Sequence, residues 1–243
     1  MSKRRYSMIR HRFHLRETIA TILADEEEHV EAARQRITSA RQELEHYIAG
    51  DPFFLTTFEP YHVDTGILVV DRMSDASVAA GVGPMAAVAG AIAWAGVEAM
   101  EEAGAQFGVV DNGGDIALLS DREISIGIHA GTSPLSDRYA FVAGPLQGIS
   151  GMCTSSATVG HSISLGVADA ATVWARNPAL ADAWATAICN QVKEDDTTVV
   201  DEAILGGIEG ACIIIGDWHY RKGTLPKVVK ARVRHDLITG GLF

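Results

Sequence analysis

Cysteine is scarce in this sequence: Cys153, Cys189 and Cys212 are the only three among 243 residues, and no two of them form a CxxC pair. An odd number of widely spaced cysteines argues against a disulfide framework and against a cysteine-based zinc site. The first sixteen residues are basic, and the apolar run of a signal peptide does not follow them. We therefore expect a cytoplasmic protein without disulfides.

Basic residues are also in short supply, because 20 lysines and arginines stand against 31 acidic residues and give a net charge of −11. Six of the basic residues lie within residues 1–16, which contain no acid, so the rest of the chain has 14 basic groups against 31 acidic ones. A body this negative disfavours nucleic acid as a partner. The basic N-terminal segment is either a solvated face or a contact for phosphate groups.

Long runs of large apolar side chains are missing as well. Residues 76–97 carry no charge, but 9 of these 22 residues are alanine, 4 are glycine, and Pro84 interrupts them. The run is long enough to cross a bilayer but has few bulky side chains to drive insertion. We predict a packed small-residue helix and no membrane partner; the exposed face of this helix could serve a homodimer.

The periodicity of apolar residues divides the chain into short strands and a few helices. Helices are predicted at 25–49, at about 84–104 and at 177–192, where an Asn-Pro pair opens the last one. Strands are predicted within 5–24 and at 66–70, 106–111, 115–119, 123–129, 138–143, 171–175, 210–220 and 226–235. No linker separates these elements, so we expect one α+β domain over 1–243 with mixed or antiparallel sheets, residues 1–50 forming N-terminal strands and a helix.

Asp182 and Thr186 stand four residues apart among alanines on the last predicted helix. This spacing places a carboxylate and a hydroxyl on one face, one turn apart. Mg²⁺ prefers such oxygen ligands and accepts a site completed by backbone carbonyls, water and phosphate. The alternative is a solvated Asp182 and a Thr186 bonded back to its own turn.

A glycine pair follows the apolar strand at 106–111. Gly113 and Gly114 lie between Asp111 and Asp115, and glycines allow positive φ or the close approach of a ligand. The same residues equally predict a plain hairpin turn. Further upstream, Gly81 and Gly83 precede a helix whose N-terminus suits an anion or simply tight packing.

The segment 148–162 is rich in small hydroxyl residues and contains Cys153, Thr154, Ser155 and His161. Its hydroxyls and backbone amides suit phosphate binding. Cys153 with His161 as its base is a second reading. A polar loop between strands is the third.

Taken in order, these segments resemble the FAD:protein FMN transferase family, also called ApbE, over about residues 64–190. The most specific match is the alanine-rich segment around Asp182 and Thr186. The full set of matching segments is Val88-Ala89-Gly90, Gly113-Gly114-Asp115, Thr154-Ser155-Ser156, His161-Ser162-Ile163-Ser164 and Ala181-Asp182-Ala183-Trp184-Ala185-Thr186-Ala187. The chain departs from the family at Ala89, where the family has a lysine, and after His161, where Asp-Pro-x-Thr-Gly is absent. The resemblance therefore points to an uncharacterised branch.

The resemblance implies an Mg²⁺ site, a flavin-nucleotide site and a set of catalytic residues. Asp182, Thr186 and the Val88 carbonyl would bind the metal, and Asp182 and His161 would be catalytic. The nucleotide, FAD or a related flavin, would lie along Gly90, Gly113, Gly114, Asp115, Thr154, Ser155 and His161.

Four functions remain open on this basis. The first is an Mg²⁺-dependent enzyme that transfers FMN from FAD to an acceptor protein or hydrolyses the FAD pyrophosphate. The second is a non-catalytic flavin- or nucleotide-binding module. The third is an FMN carrier, because Ser155-Ser156-Ala157-Thr158 resembles the acceptor sequence of such carriers. The fourth is a different small-molecule enzyme that uses Cys153 and His161.

Overall fold

The computed structural model of the protein describes residues 8–15, 18–158, 166–233 and 239. The helices of this part are α1 (Glu27–Gly50), α2 (Pro52–Thr56), α3 (Leu68–Ala80), α4 (Val88–Glu102), α5 (Pro178–Gln191) and α6 (Thr198–Leu205), with a 3₁₀ turn at Pro84–Ala87 before α4. The strands are β1 (Ile9–Leu15), β2 (Thr18–Ala24), β3 (Phe107–Asn112), β4 (Asp115–Ser120), β5 (Ile124–Gly127), β6 (Tyr139–Ala143), β7 (Ser150–Ser155), β8 (Ala170–Ala175), β9 (Gly210–Ile215), β10 (Trp218–Gly223) and β11 (Lys227–Lys230).

Eight of the strands form one large sheet in the order β1-β2-β3-β4-β7-β8-β9-β10. Every neighbouring pair in this sheet is antiparallel. A smaller sheet has the order β11-β6-β5 and is also antiparallel. The predicted α+β class with antiparallel sheets is therefore confirmed.

The two faces of the large sheet are covered by different layers. Alternate strand residues such as Val110 and Cys153 join a core with helix residues such as Ile37, Ile92 and Ile188. The intervening residues of the same strands join a second core with Phe141 of the small sheet. Because strand side chains alternate between faces, the sheet is buried on both sides between helices and a small sheet.

The strand predicted at 66–70 is wrong, because α3 begins at Leu68. The β-branched run suggested a strand, but the buried residues Val69, Val70, Met73 and Ala76 follow helical spacing. The side chain of Asp71 in the first turn accepts hydrogen bonds at 2.8 Å from both the N–H and the hydroxyl of Thr65, and these bonds hold the entry of the helix.

Other differences concern segments that sequence periodicity describes poorly. No strand is predicted within the segment 148–162, for which a polar loop is one of three alternatives, but Ser150–Ser155 is a central strand of the large sheet. The strand predicted at 210–220 is a hairpin, because Gly216 takes φ +58° between β9 and β10. The helices α2, α3 and α6 were not predicted.

The charge-free run 76–97 is not one helix. It contains the end of α3, the 3₁₀ turn and the start of α4, and the two helical pieces differ in direction by 107°. Among the described residues, no single helix has the length and apolar character needed to cross a membrane. The bent pair Leu68–Ala80 with Pro84–Glu102 reaches the required length and apolar composition only when its two helices are taken together.

Candidate functional site

The candidate site lies at one end of the large sheet, beside the β3–β4 turn. Gly113 and Gly114 form this turn between the paired residues Asn112 and Asp115. Both glycines have positive φ, +74° and +106°, so the turn requires residues without a side chain. The Gly114 N–H donates to Oδ1 of Asp111 at 3.0 Å and fixes the turn. The predicted hairpin is therefore present.

Asp182 projects from α5 into the space between α5 and the start of α4. It is only 5% exposed, and its Oδ2 accepts a hydrogen bond from the Gly90 N–H at 2.7 Å. The Ala89 N–H also donates a hydrogen bond to this carboxyl group. No side chain of the chain segment before α4 caps the helix, since its N-cap residue is Ala87. The carboxylate of a different helix thus occupies the positive N-terminus of α4.

Two glycines allow α5 to come this close. A Cβ at Gly90 would lie 2.4 Å from the Pro178 carbonyl oxygen and 2.8 Å from the Asp182 Cβ. A Cβ at Gly151 on β7 would lie 2.5 Å from the Pro178 Cα. Asn177 caps the start of α5 by accepting from the Leu180 N–H at 2.9 Å. The sequence therefore fixes both the start of α5 and its depth against β7 and α4.

A second carboxyl group, that of Asp115, is a neighbour of Asp182. The Thr154 N–H donates to Oδ1 of Asp115 at 3.2 Å. Burial raises the pKa of Asp115 well above its usual range, and the charges of Asp182 and Asp111 raise it further. Burial also raises the pKa of Asp182 to about 7, against the opposing effect of the Gly90 and Ala89 N–H groups.

Among the described residues, no positive side chain pairs with Asp115 or Asp182. None of the ion pairs in the described residues involves either carboxylate, and no lysine, arginine or histidine contributes to the shifts of their pKa values. Two adjacent buried carboxylates ionise together only when a cation offsets their charge. The donor set of two carboxylates and nearby hydroxyls fits a hard divalent ion such as Mg²⁺.

The hydroxyl predicted to join Asp182 lies one turn further along α5. Oγ1 of Thr186 is 3.1 Å from Oγ of Ser155 at the end of β7, so these two predicted site residues are in contact. Val88 is the first residue of α4, next to the two N–H groups that reach Asp182. Within the described residues, no group of three or more histidine, cysteine or acidic side chains forms a metal site by itself.

Thr154 contributes its backbone to this group of residues but not its side chain. Its hydroxyl lies 2.9 Å from that of Thr172, its cross-strand partner on β8. Cys153 and Ser155, on either side of Thr154 in the strand, face α5. Because successive strand residues point to opposite faces, the Thr154 hydroxyl lies on the face of the sheet away from Asp182.

Cys153 is fully buried, and its thiol donates to the Pro178 carbonyl oxygen at 3.4 Å. Burial raises the pKa of this thiol well above its usual range, and the charges of Asp115 and Asp182 raise it further. A thiol held neutral in this way argues against a cysteine nucleophile. His161, predicted to be catalytic and to contact the ligand, lies outside the described residues.

Two polar residues, one at the site and one outside it, have structural contacts that the sequence does not predict. Nδ2 of Asn112 donates to the Ala89 carbonyl oxygen at 3.2 Å and joins the hairpin to α4. Asp169 is 9% exposed; its carboxylate accepts from the Thr158 hydroxyl at 3.0 Å and from the Gly216 N–H at 2.7 Å. The Asn-Gly sequence predicts a turn at Asn112 but not its contact with α4, and no sequence pattern points to Asp169.

The family model described as AbpE bacteria matches residues 3–204 of the chain. A UPF0280 protein of Methanosphaerula palustris is 55% identical over 234 residues, which cover 96% of this chain and 99% of the relative. A UPF0280 protein of Methanoculleus marisnigri is 58% identical over 234 residues and covers 96% of each chain. These relatives extend over nearly the whole sequence.

Two solved structures share the fold at low sequence identity. The flavin transferase ApbE from Vibrio cholerae aligns with a TM-score of 0.61 and 12% identity over 90% of this chain and 97% of its own. The apo form of the Pseudomonas stutzeri flavinyl transferase ApbE aligns with a TM-score of 0.59 and 14% identity over 100% of both chains. At such identity the likeness concerns the fold.

Proposed function

The chain belongs to the AbpE bacteria family, and on that premise we propose that it is an Mg²⁺-dependent enzyme acting on a flavin nucleotide. The proposed reaction is the transfer of FMN from FAD to an acceptor protein, or to water. The observation that carries this proposal is the Asp115–Asp182 pair, two neighbouring buried carboxyl groups whose pKa values are raised and which have no cationic side chain beside them in the described residues.

In this proposal the metal would be held by Asp182, the Thr186 hydroxyl and the Val88 carbonyl oxygen, with Asp115 close by. These are oxygen ligands, and they lie where α5, β7 and the start of α4 meet. When bound, Mg²⁺ would offset the negative charge of the flavin pyrophosphate. The N–H groups of the Gly113-Gly114 turn are suited to the phosphate oxygens of the same ligand.

The reaction breaks the bond between the phosphorus of the FMN half and the oxygen that leaves with AMP. An acceptor hydroxyl, or water, forms the new bond to that phosphorus and gives up its proton. Asp182 would hold the metal with its negative charge, which requires loss of the proton that it holds below a pH of about 7. In the described site we assign no side chain to the acceptance of the hydroxyl proton.

A non-catalytic flavin-binding module is the second candidate, favoured by Ala89. In the family resemblance this position is a lysine near the nucleotide, and alanine supplies neither its charge nor a donor. The Ala89 carbonyl oxygen is bonded to Asn112 instead. This candidate predicts saturable flavin binding without turnover.

Incubation with FAD and Mg²⁺, followed by chromatography, distinguishes the two candidates. We expect Mg²⁺-dependent release of AMP, and we expect Asp182→Asn to lower its rate at least about a hundredfold because metal stabilisation of a phosphoryl-transfer transition state is worth several kcal/mol. Flavin binding without AMP, in the presence of varied acceptor proteins, supports the module. Absence of both excludes both candidates.

The matched control is Asp169→Asn. Asp169 and Asp182 are both buried aspartates that accept a glycine N–H at 2.7 Å, but Asp169 has no place in the proposed metal site. Release of AMP by this variant should stay within about twofold of the unmodified protein, since asparagine still accepts the backbone hydrogen bond. Equal losses in the two variants would mean that the effect of Asp182→Asn is structural.

A further inference from the structure

Seven lysines and arginines of the described residues form ion pairs with acidic side chains. The ion-paired residues are Arg34, Arg36, Arg41, Arg72, Arg122, Arg176 and Lys222. Other exposed residues form no ion pair within the described ranges; they include Arg138, Lys193, Arg221, Lys227, Lys230 and Arg232. Five of these, all except Lys193, lie on β10, on β11 or beside β11, although the chain carries 31 acids.

These five side chains border a groove where the chain passes from the large sheet to the small one. A groove of about 640 Å³ is lined by Arg221 and Lys227 together with His219, Leu225 and Val228. A second depression of about 390 Å³ lies at the other end of β11 and is lined by Arg138, Lys230 and Arg232. It also contains Asp137, whose Oδ1 lies 3.0 Å from Nδ1 of His129. Residues 218–235 contain no acidic residue. We call this surface the cationic groove.

The cationic groove runs along an open edge of the large sheet. Within the described residues β10 is the last strand and pairs only with β9, so its outer edge offers unpaired N–H and C=O groups. Trp218 and Tyr220 are partly buried, pack on the helix-side core and stack on each other at 6.0 Å. Arg221 points to the opposite face and is exposed. Burial raises the pKa of the Cys212 thiol in the small-sheet core, and the charge of Arg221 opposes this rise.

We propose that the cationic groove binds an extended, acidic segment of a partner protein, which adds a strand beside β10. An open edge supplies main-chain hydrogen bonds to an added strand, and charges beside it select the side chains. His219 and Arg221 are two residues apart on one strand, so they present groups about 7 Å apart on one face. Side chains on one face of an added strand repeat at the same interval, so a peptide with acidic residues at alternate positions matches this face best.

A nucleic acid fits this surface less well. The cationic groove is short, because the strands that carry it, β10 and β11, have only six and four residues. The rest of the protein is strongly acidic. The aromatic rings of β10 face the helix-side core and offer no platform on which bases would stack. A nucleic acid would also leave the polar groups of the strand edge without a partner. A peptide uses both features of the surface.

The test uses the full chain and a short fluorescent peptide that alternates glutamate with valine, measured by fluorescence anisotropy. We expect saturable binding, loss of at least about tenfold in affinity in Arg221→Glu/Lys227→Glu, and a similar loss when the glutamates are replaced by glutamine. Lys193→Glu is the matched control, because Lys193 is also exposed but lies outside the cationic groove. It should bind the peptide within about twofold of the unmodified protein.

The strand-like mode has its own readout. N-methylation of the alternate peptide amides that point toward β10 should weaken binding about tenfold. Hydrogen exchange of the β10 amides should be slower in the complex than in the free protein. The proposal is overturned if the glutamine peptide binds equally, if the Glu variants bind normally, or if methylation on either edge has no effect. Tighter binding of a single-stranded oligonucleotide, abolished by the same variants, would overturn it in favour of a phosphate polymer. Because the variants sit outside the candidate site, AMP release should be unchanged in them.

Discussion

The candidate site and the cationic groove both contain like charges that form no ion pair within the described residues, and they differ in burial. Asp182 is 5% exposed and its pKa is raised to about 7, whereas all five cations of the groove are exposed. Water stabilises an exposed charge, so the groove tolerates its charges as they stand. The carboxylates have lost that hydration and hold a proton or require a cation. We therefore expect the same kind of charge cluster to act as a pH-dependent ion site in one region and as a docking surface in the other.

The largest expected effect comes from packing at the buried region. Gly90→Ala places a Cβ 2.4 Å from the Pro178 carbonyl oxygen. Because the clashing atom belongs to the backbone, a change of side-chain rotamer does not relieve the clash. We expect a loss of about 3 kcal/mol in the free energy of unfolding, measured by urea denaturation. Gly50→Ala at the exposed end of α1 is the control, because no atom lies within 4 Å of its added Cβ. A variant Gly90→Ala as stable as the control would contradict the close approach of α4 and α5.

The next effect is the dependence of stability on pH without added metal. The pKa of Asp182 is raised from 3.8 to about 7, so the folded protein binds a proton that the unfolded chain has released. The corresponding stability is present below about pH 4 and is lost as the pH rises through about 7. We expect the melting temperature of the unmodified protein to fall over that interval by several degrees more than that of Asp182→Asn.

Two controls sharpen this prediction. Lys227→Glu changes an exposed charge of the cationic groove and should leave the pH dependence unchanged, because solvent screens it. Added Mg²⁺ should reverse the fall at high pH, since a cation that binds the folded state stabilises it. A pH dependence that is the same in Asp182→Asn and in the unmodified protein would contradict the assignment of the proton to Asp182.

The sequence indicated most of the regular structure and part of the site. The hairpin at Gly113-Gly114 and the cap at Asn177 are local signals, and both are present. The strand at 66–70 was wrong because β-branched residues outweighed the helical spacing of the buried residues in α3. Composition alone did not distinguish the hydroxyl-rich strand β7 from a loop.

The rest of the site depends on contacts between distant segments. Spacing along one helix placed Asp182 and Thr186 on one face, but it did not show that Asp115 would be the neighbour of Asp182. Nor did it show that Asp182 would meet the N-terminus of α4, which is 92 residues away in the chain. The Thr154 hydroxyl was expected beside the ligand, and strand alternation turns it to the opposite face. The cationic groove likewise arises only where β10 and β11 come together.

The most direct test of the ion site is calorimetric titration of the protein with Mg²⁺ at about pH 6 and about pH 8. Metal binding requires the ionised carboxylate, so affinity should rise as the pH passes through about 7, the pKa to which burial raises Asp182. We expect saturable binding that is tighter at the higher pH and is lost in Asp182→Asn but kept in Asp169→Asn. Binding that is absent at both pH values, or equally strong in Asp182→Asn, would contradict the account.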